Sequence, residues 1–193
     1  APKDENELQH MLNTAIKYNG PIALRFPRGN GLGVKIEEDI REIPIGKAEL
    51  LQEGSDLTLL AIGNMVKTAQ EVAERLSKEK SSKSTVINAR FVKPLDKDLI
   101  LEACKKTKGL VTLEENCLEG GFGSAVLELL QENNIMLPTL RIGLADEFIV
   151  HGNTDVLREH YGLTPQKIVE KIYKKFDFIN SPLKKIVLNF SRR

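Results

Sequence analysis

The chain has 193 residues, 41% of them hydrophobic and 28% charged, with a formal net charge of +1 and no tryptophan. That length holds one good-sized domain, or one domain plus a fragment. The near-neutral balance gives no ground for nucleic acid or a membrane surface as a partner, and no apolar run approaches the roughly 18–20 residues that cross a bilayer.

The opening Ala1-Pro2-Lys3-Asp4-Glu5 is polar and acidic, unlike a signal peptide, and the absence of an initiating Met points to a processed or excised chain. Asp4 is placed to N-cap a helix, with Glu7 completing a capping box. Leu8, Met11, Leu12, Ala15 and Ile16 recur at helical spacing and predict one apolar face. Asn19-Gly20-Pro21 stops that helix. Ile22 to Phe26 reads as a strand. One helix and one strand cannot bury their own apolar surface. Residues 1–29 therefore read as the last piece of a neighbouring domain. Residues 30–43, where Gly and Asn give way to mixed charges, read as a linker crossing a surface.

From Pro44 the texture changes. Ile45 to Leu51 is a plausible strand, and Leu57 to Ile62 is a continuous apolar one. The short turn Glu53-Gly54-Ser55-Asp56 between them predicts an antiparallel pair. Val66, Ala69, Val72, Ala73 and Leu76 form a helical stripe. A strand over Thr85 to Ala89 follows, then a helix capped by Asp96 that carries Leu99, Ile100, Ala103 and Cys104. Leu110 to Leu113 is a short buried strand. It leads through Glu114-Glu115-Asn116 and a glycine-rich turn, Gly120-Gly121-Phe122-Gly123, into a helix from Ser124 to Leu130. Pro138 to Ile142 is the last strand. Helices over Thr154 to His160 and Pro165 to Phe176 close the pattern, the second with Thr164 as N-cap and Pro165 at its first position. Short apolar strands alternating with amphipathic helices mean βαβ units. Residues 44–176 read as one α/β domain, a three-layer α/β/α arrangement whose sheet is mostly parallel with an antiparallel edge strand. Residues 177–193 read as a tail outside the pattern.

Few residues carry chemistry. Gly121-Phe122-Gly123 lies where a dinucleotide fingerprint would, but the third glycine is missing, and Glu114, Glu115 and Glu119 would repel a pyrophosphate. Adjacent Glu114 and Glu115 diverge on a strand end and suit helix capping or an arginine partner better than acid–base work. His151 reads as a hydrogen-bonded loop residue. His10 and His160 read as lying on solvated helix sides. No histidine pair has ligand spacing, so a zinc site is not expected. Cys104 and Cys117 read as two buried thiols in a reducing cytosol. Arg28, between Pro27 and Gly29 at a strand end, is placed to bind a phosphate through two parallel hydrogen bonds, or to form an interdomain salt bridge.

Five stretches occur in one order: Arg25-Phe26-Pro27-Arg28-Gly29; Pro44-Ile45-Gly46-Lys47-Ala48-Glu49; Asn88-Ala89-Arg90-Phe91-Val92-Lys93-Pro94-Leu95-Asp96; Glu114-Glu115-Asn116 with Gly120-Gly121-Phe122-Gly123-Ser124; and Arg141-Ile142-Gly143-Leu144 with Phe148-Ile149 and His151-Gly152. From about Pro2 to Ile172 this series resembles the C-terminal third of the 1-deoxy-D-xylulose-5-phosphate synthases, thiamine-diphosphate enzymes of the transketolase superfamily. The resemblance implies a parent enzyme, cytoplasmic and of bacterial or plastid type, that condenses pyruvate with glyceraldehyde 3-phosphate and loses carbon dioxide. It implies that residues 1–29 end the pyrimidine-binding domain and that residues 44–176 are the transketolase C-terminal domain. Thiamine diphosphate and magnesium belong to the parent. The upstream residues that bind them are missing here, so neither is expected on this chain, and no catalytic residue is. The implied partners are the N-terminal domains of the same enzyme and a second copy in a homodimer. In the family the arginine of a Tyr-Pro-Arg-Gly motif helps hold the acceptor's phosphate. Arg28 matches it, with Phe26 in place of the tyrosine. Two alternatives stand beside this reading. One is another transketolase-type enzyme, including a 2-oxoacid dehydrogenase beta subunit. The other is a stand-alone interaction domain.

Overall fold

The computed structural model describes residues 1–180. An N-terminal helix, α1 (Glu5–Lys17), is followed by a long stretch without regular structure, and then by an α/β body. The body runs β1 (Glu49–Gln52), β2 (Leu57–Ala61), α2 (Met65–Lys80), β3 (Ser84–Asn88), α3 (Lys97–Lys106), β4 (Leu110–Cys117), α4 (Phe122–Glu132), β5 (Thr139–Leu144), α5 (Thr154–His160), α6 (Pro165–Lys175) and α7 (Asp177–Asn180). The strands form one sheet in the order β1-β3-β2-β4-β5, with only β1 antiparallel. The three-layer mostly parallel arrangement read from the pattern is thus the observed one.

Alternation along each strand sends side chains to two cores. Leu57, Leu59, Val86, Val111, Leu113 and Ile142 face α2, α6 and α7. Leu60, Ile62, Ile87 and Leu110 face α3 and α4. β2 and β3 are buried along their whole length, as expected of strands covered on both faces. The helix starts follow the sequence. Asp4 accepts from the Glu7 N–H, and Asp96 accepts from the Leu99 N–H. Thr164 is the N-cap of α6 with Pro165 next to it, but its hydroxyl donates to Glu159 and makes no cap bond.

Three expectations are corrected. First, β1 pairs with β3, not β2. β2 has β3 on one side and β4 on the other, so it has no free edge. Second, residues 22–26 form no strand, because the described residues offer no sheet edge there. The front piece leaves apolar surface unburied, as its reading implied: Leu12 is 51% and Ile16 76% exposed, while Glu7, His10, Met11 and Thr14 are buried. Third, the region read as a tail begins inside the fold. α7 places Ile179 in the core beside Phe176. Residues 181–193 of that tail lie outside the described residues.

Candidate functional site

The carboxyl ends of β2, β3 and β4 gather Gly63, Asn88 to Arg90 and Glu114 at one sheet edge. β2 connects to β3 on one side, and its other neighbour is β4, so the crevice where connections diverge lies between β2 and β4. Open α/β sheets bind ligands at such a crevice. Here the protein fills it with its own groups. Glu114 is fully buried, and its carboxylate accepts from the N–H groups of Phe122 and Gly123, each at 2.8 Å. It occupies the α4 N-terminus as a bound anion would. Gly121 is required for this approach. A Cβ there would lie 2.1 Å from the Cys117 carbonyl oxygen and 2.6 Å from Glu114 Oε2. Burial pushes the Glu114 carboxyl above the usual range, against the pull of those two N–H groups and of the Arg25 and Arg141 charges. Glu115 pairs with Arg158 of α5, with Arg158 Nε at 2.9 Å. The structural reading of both glutamates therefore holds, and the glycine turn offers no room for a pyrophosphate.

The N-terminal piece meets the body through a buried cluster of charges. Glu7 is 2% exposed. Its carboxylate accepts from Lys3 N at 2.8 Å, Asn88 Nδ2 at 2.9 Å and Arg90 Nε at 2.7 Å. Glu49 of β1 completes the set, accepting from Lys3 Nζ at 3.0 Å and facing Arg90 at 3.2 Å. The predicted capping box is thus half formed, because Glu7 turns away from Asp4 toward β3. Two of the five ordered motifs interlock here. Asp96, besides capping α3, accepts from Ala48 N at 3.0 Å and lies 3.5 Å from Lys47 Nζ. Sequence reasoning gave Glu7 only the capping box and assigned no role to Glu49, Asn88 or Arg90. A signal existed, for Glu7, His10 and Thr14 recur at helical spacing as a polar stripe.

Residues 32–43 lie along that helix as a strap. His10 was read as solvated, but it is 2% exposed. Its Nε2 lies 2.8 Å from Glu37, and its Nδ1 accepts from Arg41 N. That pattern defines the neutral ring with its proton on Nε2. Cys104 is buried, which pushes its thiol up to about 12. Cys117 is only half-buried, because β4 runs past the core at that end. His151 is exposed on the loop after β5.

Arg25 and Arg28 stand apart from the other described arginines. Arg41, Arg75, Arg90, Arg141 and Arg158 each hold a hydrogen bond or ion pair. Arg25 reaches toward the crevice, its Nη2 3.7 Å from where a Cβ on Gly63 would sit. It also lines a groove of about 570 Å³ with Met11, Thr14, Tyr18, Leu24 and Phe91. Arg28 is exposed and, among the described residues, has no hydrogen bond or ion pair. The interdomain salt bridge, the other of its two readings, has no partner carboxylate among the described residues. Among the described residues no group of three His, Cys, Asp or Glu side chains could hold a metal ion, and no helix is long and apolar enough to cross a membrane.

Residues 46–168 match the family model described as the C-terminal domain of transketolase, and the chain belongs to that family. It is 54% identical over 168 residues to a protein of Heliobacterium modesticaldum named 1-deoxy-D-xylulose-5-phosphate synthase, covering 87% of this chain and 26% of that protein. A protein of the same name from Synechococcus elongatus is 51% identical over 177 residues, covering 91% and 28%. The chain thus spans about a quarter of the length of these relatives. Among solved structures, one described as a split-gene transketolase, an inactive beta4 tetramer, superposes with a TM-score of 0.81 at 33% identity, over 90% of this chain and 56% of that one. A transketolase of Pichia stipitis, 14% identical with a TM-score of 0.52 over 71% of this chain, shares the fold.

Proposed function

We propose that this chain is the C-terminal part of a 1-deoxy-D-xylulose-5-phosphate synthase, a cytoplasmic transketolase-type transferase that joins pyruvate to glyceraldehyde 3-phosphate with loss of carbon dioxide. Residues 1–29 end the preceding domain, and residues 44–176 are the C-terminal domain. The active enzyme is a homodimer in which this chain supplies structure, part of the dimer contact and one substrate-binding group, Arg28. The observation that carries the reading is the identity of over half with relatives of that name, along nearly all of this chain.

Arg28 fits the part on physical grounds. Its guanidinium is exposed and unclaimed among the described residues, on a stretch with no regular structure. A planar fork of donors in that state is available to a phosphate. The residues present do not fit thiamine diphosphate with magnesium. The one glycine turn of fingerprint type is filled by Glu114, and no metal-ligand group exists among the described residues. No chemical step is therefore assigned to this chain. The cofactor and the catalytic groups belong to the upstream domains.

The test is Arg28→Ala in the complete enzyme. Loss of a charge-assisted pair predicts a KM for glyceraldehyde 3-phosphate raised about tenfold or more, with the KM for pyruvate little changed. An unchanged aldehyde KM refutes the clamp. Assaying the same enzyme for deoxyxylulose phosphate against sedoheptulose phosphate separates this reading from a transketolase.

A further inference from the structure

From Pro21 to Ile43 the described residues form no backbone–backbone hydrogen bond. A chain that long must place its N–H groups somewhere. It places them on the side chains of α1. Leu32, Gly33 and Val34 donate to the Glu5 carboxylate at 2.9, 2.5 and 3.0 Å. Further along, Glu37 N donates to Asn6 Oδ1, Arg41 N to His10 Nδ1 and Ile43 N to Thr14 Oγ1. Glu5 is the first of these anchors and the one nearest to Arg28. Three successive N–H groups converging on one carboxylate form an anion-binding concavity, and a side chain of the protein itself is the anion. The fit is close. A Cβ on Gly31 would lie 2.7 Å from the Glu5 carboxyl carbon, so any other residue there would push the carboxylate away.

We propose that Glu5 is a positioning residue for Arg28, its carboxylate pinning the downstream end of the loop that aims the guanidinium. The inference rests on the reading of Arg28 as a phosphate clamp. From Arg28 to Leu32 the chain is about 14 Å long at full extension, so fixing Leu32 to Val34 restricts where Arg28 can reach. The anchor is itself anchored. Two residues beyond Glu5, Glu7 is bound to Asn88 and Arg90 of the body. The line of force therefore runs from β3 through Glu7 and the first turn of α1 to Glu5, and from there to the loop. Without Glu5, the segment from Pro21 to Lys35 keeps no hydrogen bond among the described residues.

A residue that only stabilises the fold would affect both substrates. A positioning residue affects the one substrate whose ligand it aims, and its effect disappears when that ligand is removed. The experiment is a double-mutant cycle in the complete enzyme with Glu5→Ala, Arg28→Ala and both, measuring KM for glyceraldehyde 3-phosphate and for pyruvate. Glu5→Ala should raise the aldehyde KM about tenfold with the pyruvate KM within about twofold. Glu5→Gln, which keeps one acceptor oxygen, should fall between wild type and alanine. Adding Glu5→Ala to Arg28→Ala should change the aldehyde KM no further. If Arg28→Ala raises that KM but Glu5→Ala leaves it alone, or if the two effects add in full, the positioning role is overturned while the clamp stands. If Arg28→Ala itself has no effect, the clamp fails first and takes this inference with it. Should Glu5→Ala not fold, Glu5→Gln carries the same cycle.

Discussion

The α/β body and the N-terminal piece are held by opposite means. In the body, strands bury apolar side chains on both faces and α2 lays Val66, Ala69, Val72, Ala73 and Leu76 against them. In the N-terminal piece the helix turns its polar side inward. Carboxylates, an imidazole and a hydroxyl of α1 hold the strap and the exit of β3, while Leu12 and Ile16 face outward. The difference shows which surface each was built to meet. The body buries its strands between two apolar cores. The helix meets the body through its polar side and leaves Leu12 and Ile16 exposed.

That contrast can be broken at its strong end first. Leu76→Ala should cost about 3 kcal/mol in denaturant unfolding of the 1–193 chain, through lost burial plus a cavity. Ile16→Ala removes similar carbon from an exposed site and should change stability by no more than about 0.5 kcal/mol. Comparable costs at the two positions would mean that α1 packs apolar side inward after all.

Glu7→Ala tests the polar joint. It leaves Lys3 and Arg90 with Glu49 as their main carboxylate, beside a buried Asn88, and breaking a buried ion pair from one side costs about 3 kcal/mol. Because the joint is local, amide exchange should rise in α1 before it rises in β2 or β4. Uniform acceleration across the chain would show that helix and body unfold as one unit.

Acid gives the smallest and most local effect. Its own N–H and those of Leu32, Gly33 and Val34 hold the Glu5 carboxyl below its ordinary value of 4.5. The hydrogen bond from His10 does the same for Glu37. A depressed carboxyl stabilises above its unfolded value and loses that contribution as pH falls through its folded value. The strap should therefore loosen below about pH 4.5, seen as lost protection of the Leu32 to Val34 amides after correction for intrinsic exchange. Protection that persists until the whole domain unfolds would refute carboxylate anchoring.

The body was legible because its apolar runs and caps answer to partners inside the chain. Asp4, Asp96 and the α2 stripe behave as their spacing says. The pairing of β1 was misread because the hairpin rule sees only neighbours in sequence. β2, apolar on both faces, belongs in the middle of the sheet, where no edge is left for β1. For α1, periodicity says that the helix has an apolar side, and it does not say where that side's partner lies. Glu114 was read as a cap or an ion-pair carboxylate, because it and Glu115 diverge on a strand end and make a poor acid–base pair. Arg28 could be narrowed from spacing only to an anion or a salt bridge, and the family resemblance favoured the phosphate. Glu5 left no trace, since an acid in a first helical turn is ordinary.

The bond from Arg90 to Glu7 joins residues 83 apart in sequence. It also fixes an order of events during synthesis. When α1 leaves the ribosome, Asn88 and Arg90 have not yet been made, and the helix is 13 residues long, near the limit for stability alone. It must wait until β3 has been made and paired before Asn88 and Arg90 can receive it. α1 is thus locked only after β3, although it is translated before it.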